Sequence, residues 1–203
     1  MQVVNDTYDR LCQTPCDINE HLPTLYKYAT ECESVFESGV RGCISSWAFV
    51  YGLLNNGKPT PRILLNDITS CPIQHLLDAT NDLDINVKFS WINNLELNMT
   101  EDVDLTFIDT WHVYGQLKRE LAKFAPLTKK YIILHDTTLD ELHGETIRMG
   151  WNPEQQSQES GIPIEEITRG LWSAVEEFLA ANPEWVLKER FTNNNGLTVL
   201  ARV

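Results

Sequence analysis

The sequence predicts an open α/β fold, in which a mostly parallel sheet is covered by helices on both faces. Short apolar segments typical of buried strands alternate with helical segments along most of the chain, and parallel neighbours need such long crossover connections. The chain ends in two more strand candidates around the polar turn 192–196, which indicates an antiparallel hairpin. Five parallel strands and this hairpin predict a seven-stranded sheet.

The first half of the chain is expected to supply an N-terminal helical segment, at 1–32, and three strands. The glycine-containing turn 39–42 separates the first strand from a helix, and Ser70 with Pro72 marks a helix start after the second strand. The strands are predicted at 34–37, 62–65 and 84–91, and the helices at 18–30, 44–54 and from 70 onward.

The second half is expected to complete the sheet. Apolar residues recur at steps of three and four in a helix after the fourth strand, until Pro126 ends it. Pro163 begins a longer helix that Asn182-Pro183 ends. The strands are predicted at 104–109, 131–134, 185–191 and 197–203, and the helices at 114–124 and 164–181.

Composition narrows the function classes. The 203 residues include 29 acidic and 16 basic side chains, giving a net charge of −13, which opposes binding to nucleic acid. No apolar run is long enough to span a membrane, and the N-terminus lacks a signal-peptide pattern. We therefore expect one soluble, cytoplasmic domain with a small-molecule partner and with no nucleic acid or membrane partner. The five cysteines indicate neither disulfides nor a zinc site, and a homo-oligomer is left open.

Polar residues follow all five predicted parallel strands. Ligands of such sheets bind beyond the carboxyl ends of the strands, where the strand order reverses. Four of the five strand ends carry an acidic residue, which is more than core packing requires. The segments are 37–42, 66–67, 91–94, 109–112 and 135–138.

The turn after the first strand is a candidate ligand cradle. Gly39 and Gly42 would let the backbone approach a ligand closely, and Ser45 opens the next helix. Asp67 ends the second strand, where a carboxylate can accept both hydroxyls of a ribose. A plain strand-to-helix turn and a helix cap are the alternatives for these features.

Three segments resemble the class I S-adenosylmethionine-dependent methyltransferases, in particular their cephalosporin-hydroxylase-like and small-molecule O-methyltransferase branch. The glycine turn at 37–46, the fourth strand with its continuation at 107–114 (Phe-Ile-Asp-Thr-Trp-His-Val-Tyr) and the fifth-strand end at 132–137 (Ile-Ile-Leu-His-Asp-Thr) carry this resemblance. Ser38 and Thr110 depart from the aliphatic residue and the glycine that are usual there. The resemblance implies a Rossmann-like fold and S-adenosylmethionine as cofactor.

The resemblance also implies positions for the cofactor. Glu37 would lie near its amino acid end, Asp67 on the ribose, and the segment from Trp91 to Asn93 beside the adenine; Gly39, Gly42, Ser45 and Asp109 complete the expected cofactor-binding set. An acidic crevice favours a sulfonium cation. NAD is the alternative ligand, but the turn lacks the three glycines of its usual fingerprint.

A second group of residues lies at the ends of the fourth and fifth strands. If these strands are neighbours, Asp109 and Asp136 lie side by side, and two adjacent carboxylates either share a proton or share a cation. The expected ion is Mg2+, with His135 or a threonine hydroxyl as the third ligand. Orienting Asp136 is the alternative role for His135.

Methyl transfer is a direct displacement, so the protein must align donor and acceptor and remove the acceptor's proton. His112 is the expected base, because its ordinary pKa is near neutrality and it follows the fourth strand. A helix cap or a loop hydrogen bond is the alternative role. Asp109 is the second expected catalytic residue.

The segment 139–163 is long for a connection in a compact domain, which indicates a lid or an insertion loop, with disorder as the alternative. The expected function is transfer of a methyl group from S-adenosylmethionine to a hydroxyl of a small molecule, such as a sugar or a hydroxylated metabolite, with the help of a metal. The alternative is a non-catalytic Rossmann-like protein that binds a nucleotide or serves in assembly.

Overall fold

A computed structural model describes all residues, 1–203. It contains one seven-stranded sheet with the strand order β3-β2-β1-β4-β5-β7-β6. The first five strands are parallel, and β7 runs antiparallel to both of its neighbours. The predicted fold, with seven strands and a C-terminal antiparallel hairpin, is therefore confirmed. The strands are β1 Ser34–Ser38, β2 Arg62–Asp67, β3 Asn86–Trp91, β4 Val103–Ile108, β5 Thr128–His135, β6 Trp185–Phe191 and β7 Leu197–Arg202.

Helices cover both faces of the sheet, and none of them is long and apolar enough for a membrane span. The helices are α1 Gln2–Gln13, α2 Leu22–Thr30, α3 Ile44–Leu54, α4 Gln74–Thr80, α5 Tyr114–Phe124, α6 Glu145–Arg148, α7 Pro153–Ser160, α8 Ile164–Ile167 and α9 Leu171–Ala181.

The apolar core lies in two layers because successive strand residues point to opposite faces of the sheet. On β1, Val35 belongs to the layer that α1, α2 and α3 complete, and Phe36 belongs to the layer under α5 and α9. Each of these helices contributes apolar side chains to one of the two layers. Both layers leave the carboxyl ends of the parallel strands uncovered by apolar packing.

The strand order places a topological switch point at β1. This strand pairs with β2 on one side and with β4 on the other, so the helices after β1 and β4 lie on opposite faces of the sheet. A crevice must open beyond the carboxyl ends of β1 and β4.

The structure corrects the predictions in several places. Helix α1 lies within the helical segment expected at 1–32, although the sequence predicts bounds only for the helix at 18–30; α1 packs Tyr8 against Tyr26 and Tyr51, with ring centroids 5.5 and 5.0 Å away. The predicted helix 164–181 is two helices, because the backbone between them leaves the helix to pair with the preceding segment: Gly144 N donates to Thr168 O and Gly170 N donates to Leu142 O. Helix α4 begins at residue 74 rather than 70.

Candidate active site

The turn after β1 is held tightly against the end of β4. Gly39 has φ +91°, and a Cβ there would overlap the Asp109 carbonyl oxygen, so only glycine fits. Arg41 and Cys43 also have positive φ, 43° and 62°, in the same turn. The strained backbone is concentrated at the crevice that the strand order predicts.

A cleft of about 540 Å³ opens at this switch point, within the usual size range of small-molecule sites. Its walls are formed by the ends of β1 and β2, the loops that follow β1, β2, β3 and β4, one residue of α5 and the segment 151–160. The lining residues are Ser38, Gly39, Arg41, Asn66, Asp67, Ile68, Thr69, Asn93, Asn94, Asp109, Thr110, Trp111, Gln116, Trp151, Gln156, Glu159 and Ser160.

Asp67 lines the cleft, but its carboxylate already accepts four hydrogen bonds from within the protein. Its Oδ2 accepts hydrogen bonds from Val40 N and Arg41 N, both at 2.9 Å, and its Oδ1 accepts from the amide and the hydroxyl of Thr69, both at 2.8 Å. Burial alone would raise the pKa of Asp67, but these donors outweigh burial and lower it. A carboxylate has about four lone-pair sites. A ribose hydroxyl would therefore have to displace the Thr69 hydroxyl.

The structure divides the predicted cofactor residues into two groups. Gly39, Asp67, Asn93 and Asp109 line the cleft, whereas Glu37, Gly42, Ser45 and Trp91 do not.

The predicted cofactor residues that do not line the cleft lie beneath its turn or on the protein surface. Glu37 is fully buried beneath the turn, where it accepts a hydrogen bond from Ser45 Oγ. A Cβ at Gly42 would make only ordinary contacts, with Ile44, so packing within the protein does not itself require glycine there. Trp91 is 66% exposed and its Nε1 donates to Ile68 O.

A polar network forms the floor of the cleft on the α5 side. Glu120 is fully buried, and its Oε1 accepts hydrogen bonds from Asn94 Nδ2 at 2.5 Å, Thr110 Oγ1 at 2.6 Å and Gln116 Nε2 at 2.8 Å. Asn94 Nδ2 also donates to Ser38 Oγ at 2.8 Å. Burial raises the pKa of Glu120 above its ordinary value. The network fixes the amide groups of the cleft from behind.

The ends of β4 and β5 meet at the edge of the cleft. His112 Nε2 lies 3.0 Å from Asp109 Oδ1 and 3.3 Å from Asp136 Oδ2, and these three side chains could hold a metal ion. His135 Nδ1 lies 3.0 Å from Asp136 Oδ2 and 3.6 Å from Asp109 Oδ1. Asp136 adopts φ +55°, a conformation that Asp tolerates better than most residues. The structure thus brings together all four residues predicted for catalysis or metal binding.

The opposite charges of the two aspartates and the two histidines shift the pKa values of these side chains. Burial acts against ionisation of Asp109, but the neighbouring His112 and His135 rings outweigh it, so the pKa of Asp109 lies well below its usual range. Burial likewise opposes the charged imidazoles, yet Asp109 and Asp136 raise the pKa of His135 to about 10 and that of His112 well above its ordinary value. Both shifts favour the protonated form of the rings.

The surroundings of the two His112 nitrogens bear on the base role expected for this residue. Its Nε2 faces two carboxylates, and its Nδ1 lies 3.2 Å from Asp140 Oδ2, at an angle that does not complete a hydrogen bond. A general base needs an unprotonated nitrogen directed at the acceptor. Both nitrogens of His112 face carboxylates, and its role as the base stays a prediction.

His135 is anchored from its far side. Its Nε2 lies 3.2 Å from Asn194 O, which makes Nε2 the donor and directs Nδ1 at the carboxylates. His21 is buried behind it, with its ring centroid 5.8 Å from that of His135.

The predicted lid segment is an ordered insertion with two helices, α6 and α7. Asn152 Oδ1 accepts a hydrogen bond from Gln155 N and so caps α7, whose first residue is Pro153. Trp151 and three α7 residues form a wall of the cleft, and Asp140 pairs with Arg148 beside His112. The segment thus contributes to both groups of candidate residues.

Several residues at the site were missed. Asn94 and Gln116 have weak sequence signals: Asn94 belongs to a polar strand end, and Gln116 with Glu120 interrupts the apolar face of α5 at a spacing of four. Asp140 and Arg148 have no such signal, because the fold of the insertion alone brings them to His112.

No protein-family model and no curated protein sequence matches the chain. Solved structures do match. A protein from Staphylococcus aureus described as a caffeoyl-CoA O-methyltransferase has a TM-score of 0.62 at 13% identity, over 100% of this chain and 91% of that one. The O-methyltransferase from Bacillus cereus, solved in complex with S-adenosylhomocysteine, has a TM-score of 0.56 at 16% identity, over 98% and 91%.

The N-methyltransferase NodS from Bradyrhizobium japonicum also matches, with a TM-score of 0.56 at 11% identity, over 92% of this chain and 96% of that one. At such low sequence identities, the structural similarity establishes the fold alone. The chain has a Rossmann-like fold similar to that of these methyltransferases, as the sequence resemblance implies.

Proposed function

We propose that this protein transfers a methyl group from S-adenosylmethionine to a hydroxyl of a small molecule, such as a sugar or a hydroxylated metabolite, with the help of a divalent cation. The cleft at the switch point carries the proposal, because it joins Gly39, Asp67, Asn93 and Asp109 to the acidic group at the ends of β4 and β5. Similar folds belong to proteins described as O-methyltransferases.

The cofactor would be held along the ends of β1 and β2. The residues there fit a nucleoside: Gly39 lines the cleft without a side chain, and the amides of Asn93 and Asn94 offer donors and acceptors to a base. S-adenosylmethionine supplies an electrophilic methyl group for direct displacement. Glu37, Gly42, Ser45 and Trp91 would support the walls of this site rather than touch the cofactor.

The acceptor would enter beside the insertion. Trp111 and Trp151 offer apolar surfaces, and Gln156 and Glu159 offer polar partners for hydroxyl groups, all within the same cleft. These residues would align the acceptor oxygen and exclude water.

Asp109 and Asp136 would hold the cation, with His135 Nδ1 as the expected third ligand. The residues fit this role because His135 is 2% exposed and its Nδ1 has no hydrogen-bond partner, although two carboxylates lie within 3.6 Å. A divalent cation there supplies Lewis acidity that lowers the pKa of an acceptor hydroxyl. With this help, no strong protein base is required, which suits a His112 whose two nitrogens face carboxylates.

The test measures methyl transfer from labelled S-adenosylmethionine to a panel of hydroxylated small molecules. Asp109→Asn should lower the rate at least about 100-fold, because the cation loses a charged ligand. The matched control is Asp84→Asn, which removes an exposed charge before β3 and should leave the rate unchanged. Equal rates for wild type and Asp109→Asn would contradict the assigned site.

A non-catalytic protein is the second candidate, and the saturated carboxylate of Asp67 favours it. A chain that uses every lone pair of Asp67 internally has no preformed ribose site. Absence of both cofactor binding and methyl transfer would support this candidate.

A further inference from the structure

His112 is enclosed by carboxylates on both edges of its ring. Its Nε2 faces Asp109 and Asp136, while its Nδ1 lies 3.2 Å from Asp140 Oδ2 and 3.8 Å from Glu145 Oε2. Only 14% of the His112 side chain is exposed, and the Asp140 side chain is fully buried. So much negative charge around a nearly buried ring requires compensation, by protons or by a cation.

The distances from His112 Nε2 to the Asp109 and Asp136 carboxylates suit a shared ion. Two ligand atoms bound at about 2.1 Å in adjacent octahedral or tetrahedral positions lie about 3.0–3.4 Å apart. His112 Nε2 lies 3.0 Å from Asp109 Oδ1 and 3.3 Å from Asp136 Oδ2. An independent observation points to the same place, because the buried Nδ1 of His135 has no hydrogen-bond partner and faces both carboxylates.

Asp140 stands behind the ring and is itself held in place. Arg148 Nε donates to its Oδ1 at 2.6 Å and Arg148 Nη2 donates to its Oδ2 at 2.9 Å. This fork fixes the plane of the carboxylate beside His112 Nδ1. Histidines that bind a metal through one nitrogen commonly present the other to a carboxylate, which fixes the ring orientation and increases its ligand strength.

We propose that Asp140, fixed by Arg148, positions His112 as a nitrogen ligand of the cation between Asp109 and Asp136. An imidazole ligand favours later first-row dications over Mg2+, which prefers oxygen ligands. The site would therefore select a transition-metal ion such as Mn2+ or Co2+ instead of the expected Mg2+. The inference rests on the proposed function for the place of the cation, and it goes further by naming the ion class and a positioning pair.

The experiment uses the full-length protein after chelation and dialysis. Calorimetric titrations with Co2+ and with Mg2+ give the ratio of the two affinities, and pulsed electron paramagnetic resonance of the Mn2+ complex reports nitrogen ligands. Wild type should bind Co2+ at least about 10-fold more tightly than Mg2+. His112→Gln should lower this ratio at least about 10-fold and weaken the nitrogen couplings.

Asp140→Asn tests the positioning role, because it keeps the size of the side chain and removes its charge. We expect it to weaken Co2+ binding about 10- to 100-fold. Glu141→Gln is the matched control: it removes a neighbouring charge that pairs with Arg190 instead of His112, and it should leave Co2+ binding unchanged. If Asp140→Asn does not fold by circular dichroism, Arg148→Gln replaces it and should weaken binding in the same direction.

Three results would overturn the inference: no Co2+ binding by wild type, an affinity ratio that His112→Gln does not change, or equal Co2+ affinities of Asp140→Asn and Glu141→Gln. Titration of the same samples with S-adenosylhomocysteine separates the two proposals. Nucleoside binding without metal selectivity rejects the ion assignment alone, and metal selectivity without nucleoside binding rejects methyl transfer alone.

Discussion

Glu37 should make the stability of the protein depend on pH in a way that Glu37→Gln abolishes. This carboxyl is fully buried on β1; Ser45 Oγ donates to its Oε1, and its Oε2 has no partner. Burial, with a smaller contribution from Asp109 and Asp67, raises the pKa of Glu37 from 4.5 to about 8. The folded protein therefore keeps a proton that the unfolded chain releases over this interval.

The sign follows from proton binding. Because the folded state binds more protons than the unfolded state between the two pKa values, stability is fully present below the lower value and falls as the pH rises towards the upper one. Each pH unit is worth about 1.4 kcal/mol, so the full interval would cost about 5 kcal/mol. Relaxation around the site should reduce the measured cost to about 2–3 kcal/mol.

Urea denaturation of the cofactor-free protein at several pH values between 5 and 9 measures this effect. Glu37→Gln should be close to wild type near pH 5 and more stable than wild type by about 2–3 kcal/mol near pH 9, since glutamine has no charge to desolvate. Glu154→Gln on the exposed surface of α7 is the control and should show no such trend. A pH-independent difference between Glu37→Gln and wild type would refute the reasoning.

Two further predictions concern the cleft. Gly39→Ala should destabilise the protein by at least about 2 kcal/mol, because of its positive φ and its overlap with the β4 end, whereas Gly57→Ala, at φ +67° in open space, should cost about 1 kcal/mol; equal losses in urea denaturation would refute the close approach. Thr69→Val should free one lone pair of Asp67 and tighten the binding of S-adenosylhomocysteine about 3- to 10-fold in calorimetry; weaker binding would argue against a ribose at Asp67.

Most of the sheet could be predicted because its strands are short apolar segments between helices. Helix α3 has the predicted bounds, Ile44–Leu54, and all seven strands are present. The break between α8 and α9 could not be read from periodicity, because backbone hydrogen bonds from a distant segment override an apolar stripe that continues across the break. The same tertiary pairing places the insertion beside the site.

The candidate site could be predicted only as far as the strand ends determine it. Asp67, Asp109 and Asp136 reach one edge of the sheet because the carboxyl ends of parallel strands meet there. The direction of a side chain needs more information: Glu37 lies on the same face of β1 as Val35 and is therefore buried under α3, away from the cleft. The carboxylates beside His112 Nδ1 belong to the insertion, and no local sequence pattern predicts how the insertion folds back onto the sheet.

Calorimetric titration of the full-length protein with S-adenosylhomocysteine, beside NAD, tests the central claim most directly. The account predicts one nucleoside site per chain for S-adenosylhomocysteine and no measurable binding of NAD, whose diphosphate would meet the carboxylates of Asp67 and Asp109 in the same cleft. Binding of NAD alone, or of neither ligand, would contradict it.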